Sequence, residues 1–160
     1  MKKITINFNL NSEPWTLDVE PNDTLLEVIR EKTGVKSPKV ACDRGDCGAC
    51  TVLIDGKTAR SCLVLAVEID GQNITTVEAL SKDEPTKLQK SFAKNNAFQC
   101  GFCAPGMVLA THELTETNQS PTKEEVQEAI SGNLCRCTGY ERIIECVINP
   151  DMNIEEDNEK

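Results

Sequence analysis

This sequence predicts an α+β fold built from two unlike halves. Residues up to about 77 alternate apolar and polar positions as half-buried strands do, residues after about 78 carry helix start and stop signals, and each half holds four closely spaced cysteines. With 160 residues, 39% apolar but only 4% aromatic, the chain lacks the side chains for one large core. Two small halves of this kind need covalent or metal cross-links.

Ile4, Ile6, Phe8 and Leu10 alternate with polar residues, Asn11-Ser12 interrupts, and Trp15, Leu17 and Val19 alternate again, which predicts a hairpin. Asn22 or Asp23 is placed to cap a helix with apolar positions Leu25, Leu26, Val28 and Ile29, and Gly34 suits its end. Thr51–Ile54, an Asp55-Gly56 turn and Thr58–Leu65 predict a second hairpin, with Ile74–Val77 as a further short strand. In the second half, Leu88 and Phe92 mark an amphipathic helix ending near Asn95-Asn96, and Pro105 suits the first turn of another running to about Leu114. Thr122 with Glu125 and Thr138 with Glu141 are capping-box pairs opening two more helices, the first of them ended by Gly132. Four short helices predict a bundle. The division is 1–77, 78–150 and an acidic tail, 151–160, expected to fray.

Seventeen Lys+Arg against 26 Asp+Glu leave a net charge of −9 with no basic patch, which argues against a nucleic-acid partner. The longest apolar runs, such as Cys62–Val67, are too short to cross a bilayer. Met1-Lys2-Lys3 looks like a signal-peptide start, but the alternation of Ile4–Leu10 forms no apolar h-region. The expectation is a soluble, cytoplasmic protein without a membrane partner.

Nine cysteines are an odd number, and without an export signal they argue for metal binding over a disulfide framework. Cys42, Cys47, Cys50 and Cys62 form one set, Cys100, Cys103, Cys135 and Cys137 another, with Cys146 left over. The spacing Cys42-x4-Cys47-x2-Cys50 matches the opening of plant-type [2Fe–2S] sites, and Gly45 and Gly48 let the backbone close on anionic sulfurs. Zinc ribbons more often use two C-x2-C knuckles, so iron–sulfur is favoured over zinc at this loop. The second set is less specific, and zinc stays open there on spacing alone. Cys103 and Cys137 each precede a predicted helix, whose N-terminal dipole favours thiolates.

Three stretches, Cys42-Asp43-Arg44-Gly45-Asp46-Cys47-Gly48-Ala49-Cys50-Thr51-Val52, Gln99-Cys100-Gly101-Phe102-Cys103-Ala104-Pro105-Gly106-Met107 and Gly132-Asn133-Leu134-Cys135-Arg136-Cys137-Thr138-Gly139-Tyr140, resemble the signatures of one family. It is the small two-[2Fe–2S] iron–sulfur subunit of the molybdenum hydroxylases, the xanthine dehydrogenase/aldehyde oxidoreductase family. The resemblance covers Lys2 to Ile148 and implies an N-terminal β-grasp, plant-type ferredoxin-like domain followed by a C-terminal four-helix-bundle domain, with iron in both sites. It implies that the Cys100, Cys103, Cys135 and Cys137 cluster lies near a molybdenum–pterin cofactor in a large partner subunit, with Gln99 and Cys137 facing the pterin. Electrons would then pass through the Cys42, Cys47, Cys50 and Cys62 cluster to FAD in a medium subunit or to another acceptor. The reaction so served is hydroxylation of a substrate, a purine or other N-heterocycle by analogy, with oxygen from water. The alternative is a free-standing two-cluster electron carrier, for which Gln99 and the motif around Cys137 would have no use. A zinc-stabilised interaction module is a third possibility, disfavoured by the first loop.

Some positions depart from the family pattern: Arg44 where Glu or Gln is common, Ala41 for Gly, and Ala104 for a frequent Thr. Arg44 is expected in solvent, since charged side chains seldom leave water. Cys146 is expected to be a small buried hydrophobe, His112 has no partner suggesting a role, and Glu124, Glu125 and Glu128 read as a solvated helix face. No G-x-G-x-x-G marks a dinucleotide site, so FAD and the molybdenum cofactor would come from other chains. A docking patch is expected near Phe98, Phe102, Met107 and Tyr140.

Overall fold

The computed structural model describes residues 2–81 and 84–151; the expected tail, 151–160, lies outside them apart from Asp151. Strands β1 (Ile4–Leu10) and β2 (Glu13–Val19) form the first hairpin, with Ile4 opposite Val19 and Leu10 opposite Glu13. Asn11 and Ser12 both take positive φ, the conformation a tight hairpin turn requires. Strand β3 (Thr51–Ile54) pairs antiparallel with β4 (Lys57–Arg60) and with β5 (Asn73–Thr75), and β5 lies parallel to β1. The sheet order is therefore β2-β1-β5-β3-β4. Its apolar face, including Ile6, Phe8, Leu10, Val52 and Ile74, packs with Leu25, Val28 and Ile29 into one core.

Leu25 belongs to α1 (Leu25–Glu27), and Val28 and Ile29 to the π-helical turn that continues it over Val28–Thr33 and stops at Gly34 with φ 81°. Its cap is Thr24, in a reciprocal box with Glu27, and not Asn22 or Asp23. Asp23 is engaged elsewhere, accepting from the Glu20 amide and from Lys32 Nζ. Strand β4 also ends earlier than expected, at Arg60 and not Leu65. The Ser61 amide and hydroxyl both turn onto the Cys50 carbonyl, at 3.3 and 2.6 Å, and the chain bends there toward the cysteine loop. The fifth expected strand is β5, shifted one residue earlier, and Val77–Leu80 forms a 3₁₀ turn instead of extending it.

The second half contains α2 (Lys87–Lys94), α3 (Ala104–Thr117), α4 (Lys123–Ile130) and α5 (Glu141–Ile148). Thr86 with Gln89 and Thr122 with Glu125 form capping boxes, each satisfying two backbone donors at a helix start. Thr138 does not cap α5; Tyr140 holds that position at φ 65°, without a side-chain cap. Phe92, Met107, Val126, Ile130, Ile143 and Val147 fill the core between the helices, and Val77 and Leu80 pack against it. Cys146 is wholly buried there, and its thiol is pushed up by burial. Among the described residues, no helix is long and apolar enough to cross a membrane.

Candidate metal centres

The loop between α1 and β3 turns its backbone amides toward a thiol. Asp43 and Gly45 take positive φ, so successive N–H groups point inward as an anion nest. Amides of Arg44, Cys47 and Asp46 surround Cys42 Sγ and hold its thiol down to about 6, far below the ordinary 9.0. Cys50 lies at the entry to β3 and Cys62 in the bend after β4; their sulfurs are 3.3 Å apart. Burial, then contact with Cys50, pushes the Cys62 thiol up to about 11. Leu63 closes over the loop so tightly that a Cβ on Gly45 would collide with it. Arg44 points outward, 76% exposed, with Nε 2.5 Å from Asp46 Oδ2, as expected of a solvated arginine.

The second set gathers from two segments. Cys100 and Cys103 lead into α3, where Cys103 is the N-cap residue; Cys135 and Cys137 lie in the loop before α5. Cys100 and Cys137 sulfurs are 3.6 Å apart and exposed. Cys103 faces Cys135 in the interior, and burial together with that contact pushes its thiol up to about 12. Burial also acts on Cys135, but the Thr138 hydroxyl and amide, at 3.1 and 3.4 Å from its sulfur, outweigh it and hold the thiol below 9.0. Here lies the use of Thr138 that its capping-box spacing disguised. The Cys135 amide donates to the Tyr140 hydroxyl at 2.8 Å, which turns Tyr140 inward.

Gln99 is exposed beside this set and donates from Nε2 to the Cys137 carbonyl at 3.0 Å, which joins the two residues expected to face a pterin. Of the expected docking patch only Phe102 is largely exposed, at 45%; Met107 is wholly buried and Phe98 packs edge-on against Phe92. Leu134, 57% exposed, was missed, because nothing in the spacing of that loop distinguishes an outward leucine from an inward one.

The sulfurs associate in twos: Cys42 with Cys47, Cys50 with Cys62, Cys100 with Cys137 and Cys103 with Cys135. Two thiolates on one tetrahedral metal with bonds of about 2.3 Å lie about 3.8 Å apart, close to both sulfur separations above. Among the described residues no three Cys, His, Asp or Glu side chains gather around one point as a single ion requires. Two pairs per set are what a binuclear [2Fe–2S] rhomb takes, two thiolates on each iron, so these donor sets fit that group.

Residues 8–81 match the 2Fe-2S iron-sulfur cluster binding domain, and residues 76–148 match the [2Fe-2S] binding domain. The chain is 45% identical to the nicotine 6-hydroxylase small subunit of Paenarthrobacter nicotinovorans, over 98% of this chain and 94% of that protein. It is 47% identical to the nicotinate dehydrogenase small FeS subunit of Eubacterium barkeri, over 89% and 92% of the two chains. A chain in the crystal structure of quinoline 2-oxidoreductase from Pseudomonas putida 86 superposes with a TM-score of 0.89 at 42% identity, covering 99% of this chain and 98% of that one.

Proposed function

This chain belongs to the small two-[2Fe–2S] iron–sulfur subunits of the molybdenum hydroxylase (xanthine dehydrogenase/aldehyde oxidoreductase) family, and we propose that it is the electron-transfer subunit of such a heteromeric oxidoreductase. The observation that carries this reading is the paired arrangement of eight thiols in two sets, each set with its own hydrogen-bond donors. When bound, the two clusters supply one-electron relay, which a two-electron hydroxylation uses twice per turnover. The first half is a β-grasp ferredoxin-like domain and the second a four-helix bundle, divided near 77/78. In support, the two domain matches meet at 76–81, and Val77 and Leu80 pack on the helical core.

Cys42, Cys47, Cys50 and Cys62 hold one cluster and Cys100, Cys103, Cys135 and Cys137 the other. Burial of Cys103 and Cys62 keeps water from one side of each site, while exposed Cys100 and Cys137 bring the second site to the surface. Gln99 and Cys137, joined by their hydrogen bond, face the pterin of the molybdenum-cofactor large subunit, and exposed Phe102 and Leu134 give that subunit an apolar seat. An FAD-binding medium subunit takes the electrons from the first site. An N-heterocyclic substrate is the reading we favour; in its support, relatives are named for nicotine and nicotinate and a solved neighbour for quinoline, all nitrogen heteroaromatics. Nine cysteines held as free thiols suit the reducing cytoplasm.

The test is iron, sulfide, zinc and molybdenum analysis of the complex captured with this chain, with EPR of the dithionite-reduced sample. Two distinct [2Fe–2S] signals with co-eluting molybdenum support the electron-relay subunit. The same signals from a chain eluting alone support a free carrier, and zinc without iron overturns both.

A further inference from the structure

The two cysteine-bearing regions meet at one polar junction, and at its centre lies the Arg60 guanidinium, bonded to neutral acceptors. Arg60, the last residue of β4, donates from Nη1 to Thr51 Oγ1 at 2.8 Å and from Nη2 to the Gly132 carbonyl at 2.7 Å. Thr51 follows Cys50 in the first loop; Gly132 opens the segment leading to Cys135. Thr51 Oγ1 donates onward to the Gly48 carbonyl at 2.6 Å. Asn133, 2% exposed, reaches back across the junction and donates from Nδ2 to the same carbonyl at 3.1 Å and to Thr51 Oγ1 at 3.3 Å. Beside them the Leu134 amide donates to the Cys47 carbonyl at 2.9 Å.

Every acceptor of the Arg60 guanidinium is neutral, and among the described residues no carboxylate pairs with it. A half-buried cation with no counter-charge destabilises a fold unless negative charge lies nearby. With both cysteine sets ligating as thiolates, the two segments that Arg60 joins through Thr51 and Gly132 would supply that charge. The planar fork of an arginine also fixes direction as well as distance, which a lysine does not.

We propose that Arg60 is a positioning residue that holds the two thiolate loops in one fixed relation, its charge facing both, and thereby sets the passage of an electron between the two centres. The inference rests on the two-cluster reading above. The clusters that the eight cysteines would hold would supply the one-electron exchange, the second-half site losing the electron that the first-half site gains.

The test uses the purified complex carrying Arg60→Met, Arg60→Lys or Gly132→Ala. A Cβ on Gly132 would meet the Arg60 guanidinium itself, so Gly132→Ala displaces the fork and leaves its charge in the protein. EPR of the fully reduced complex reads the magnetic interaction between the two centres, which depends on their separation and orientation; rapid-freeze sampling reads the electron's passage. Arg60→Met and Gly132→Ala are expected to keep both [2Fe–2S] signals while the interaction changes and passage slows. Arg60→Met alone is expected to lower both midpoint potentials, and Arg60→Lys to restore the potentials without restoring the interaction. Both signals with unchanged interaction and unchanged passage in Arg60→Met and Gly132→Ala would overturn the inference. A wild-type complex without two [2Fe–2S] signals would overturn the two-cluster reading instead. If Arg60→Met fails to load iron, Gly132→Ala and Arg60→Lys decide the matter.

Discussion

Gly106, in the first turn of α3, lies against the carbonyl of Gly48 in the first thiol loop so closely that no Cβ fits between them. The contact seats the N-terminal turn of the helix that carries Cys103 directly on the loop that carries Cys47 and Cys50. Gly106 needs no left-handed backbone here; the requirement is purely one of space. Gly106→Ala should therefore destabilise the protein by about 1–3 kcal/mol through overpacking. Urea unfolding of the complex would show this as a lower midpoint, and a midpoint equal to wild type would mean the junction has room to give.

Cys62 and Cys146 are both buried cysteines with raised thiols, yet only Cys62 has a sulfur neighbour. Cys62→Ser is expected to remove half of the bound iron and one of the two EPR signals. Cys146→Ala should keep all the iron and cost on the order of 1 kcal/mol in stability, from lost packing and the lost thiol contact with the Ser91 carbonyl. Iron analysis of the two variants side by side distinguishes a ligand from a core residue.

Thr138 is expected to tune one centre and leave the other unchanged. Its hydroxyl donates to Cys135 Sγ at 3.1 Å, and reduction adds negative charge that such a donor stabilises. Thr138→Val should lower the potential of the second centre by about 20–60 mV, the equivalent of one ordinary hydrogen bond for a one-electron couple. An EPR-monitored redox titration would give the shift. Equal movement of both signals would point to a general loosening of the fold.

Glu113 on α3 accepts from the Thr58 amide at 2.8 Å and pairs with Lys57 at 3.3 Å, tying the edge strand β4 to the helical half. Partial burial pushes its carboxyl up, but the Thr58 and Lys57 donors outweigh burial and hold it below 4.5. A depressed carboxyl stabilises the fold above its unfolded value and loses that contribution as pH falls through its folded value. Wild type should thus exceed Glu113→Gln in thermal midpoint at neutral pH, and the gap should close on acidification below 4.5. A gap independent of pH would assign the effect to shape and not to charge.

Local chemistry was legible wherever a residue acts on its immediate neighbours. The Thr122–Glu125 box, the Asp55-Gly56 turn and the first hairpin all appear at the expected places, because each is decided within a few residues. Thr138 shows the opposite case: its spacing to Glu141 spells a capping box, but the sulfur of Cys135 competes for its hydroxyl and takes it. The early end of β4 has the same kind of cause, since the bend at Ser61 depends on a carbonyl eleven residues away. The sequence by itself determined the two sets of four cysteines, the strand and helix content of each half and the family. Tertiary structure alone decided how the sulfurs pair and that Arg60, Thr51, Gly132 and Asn133 join the two loops. Those contacts link residues as far apart as Gly48 and Asn133, and no periodicity or spacing rule reaches across that distance, because only chain folding brings such groups together.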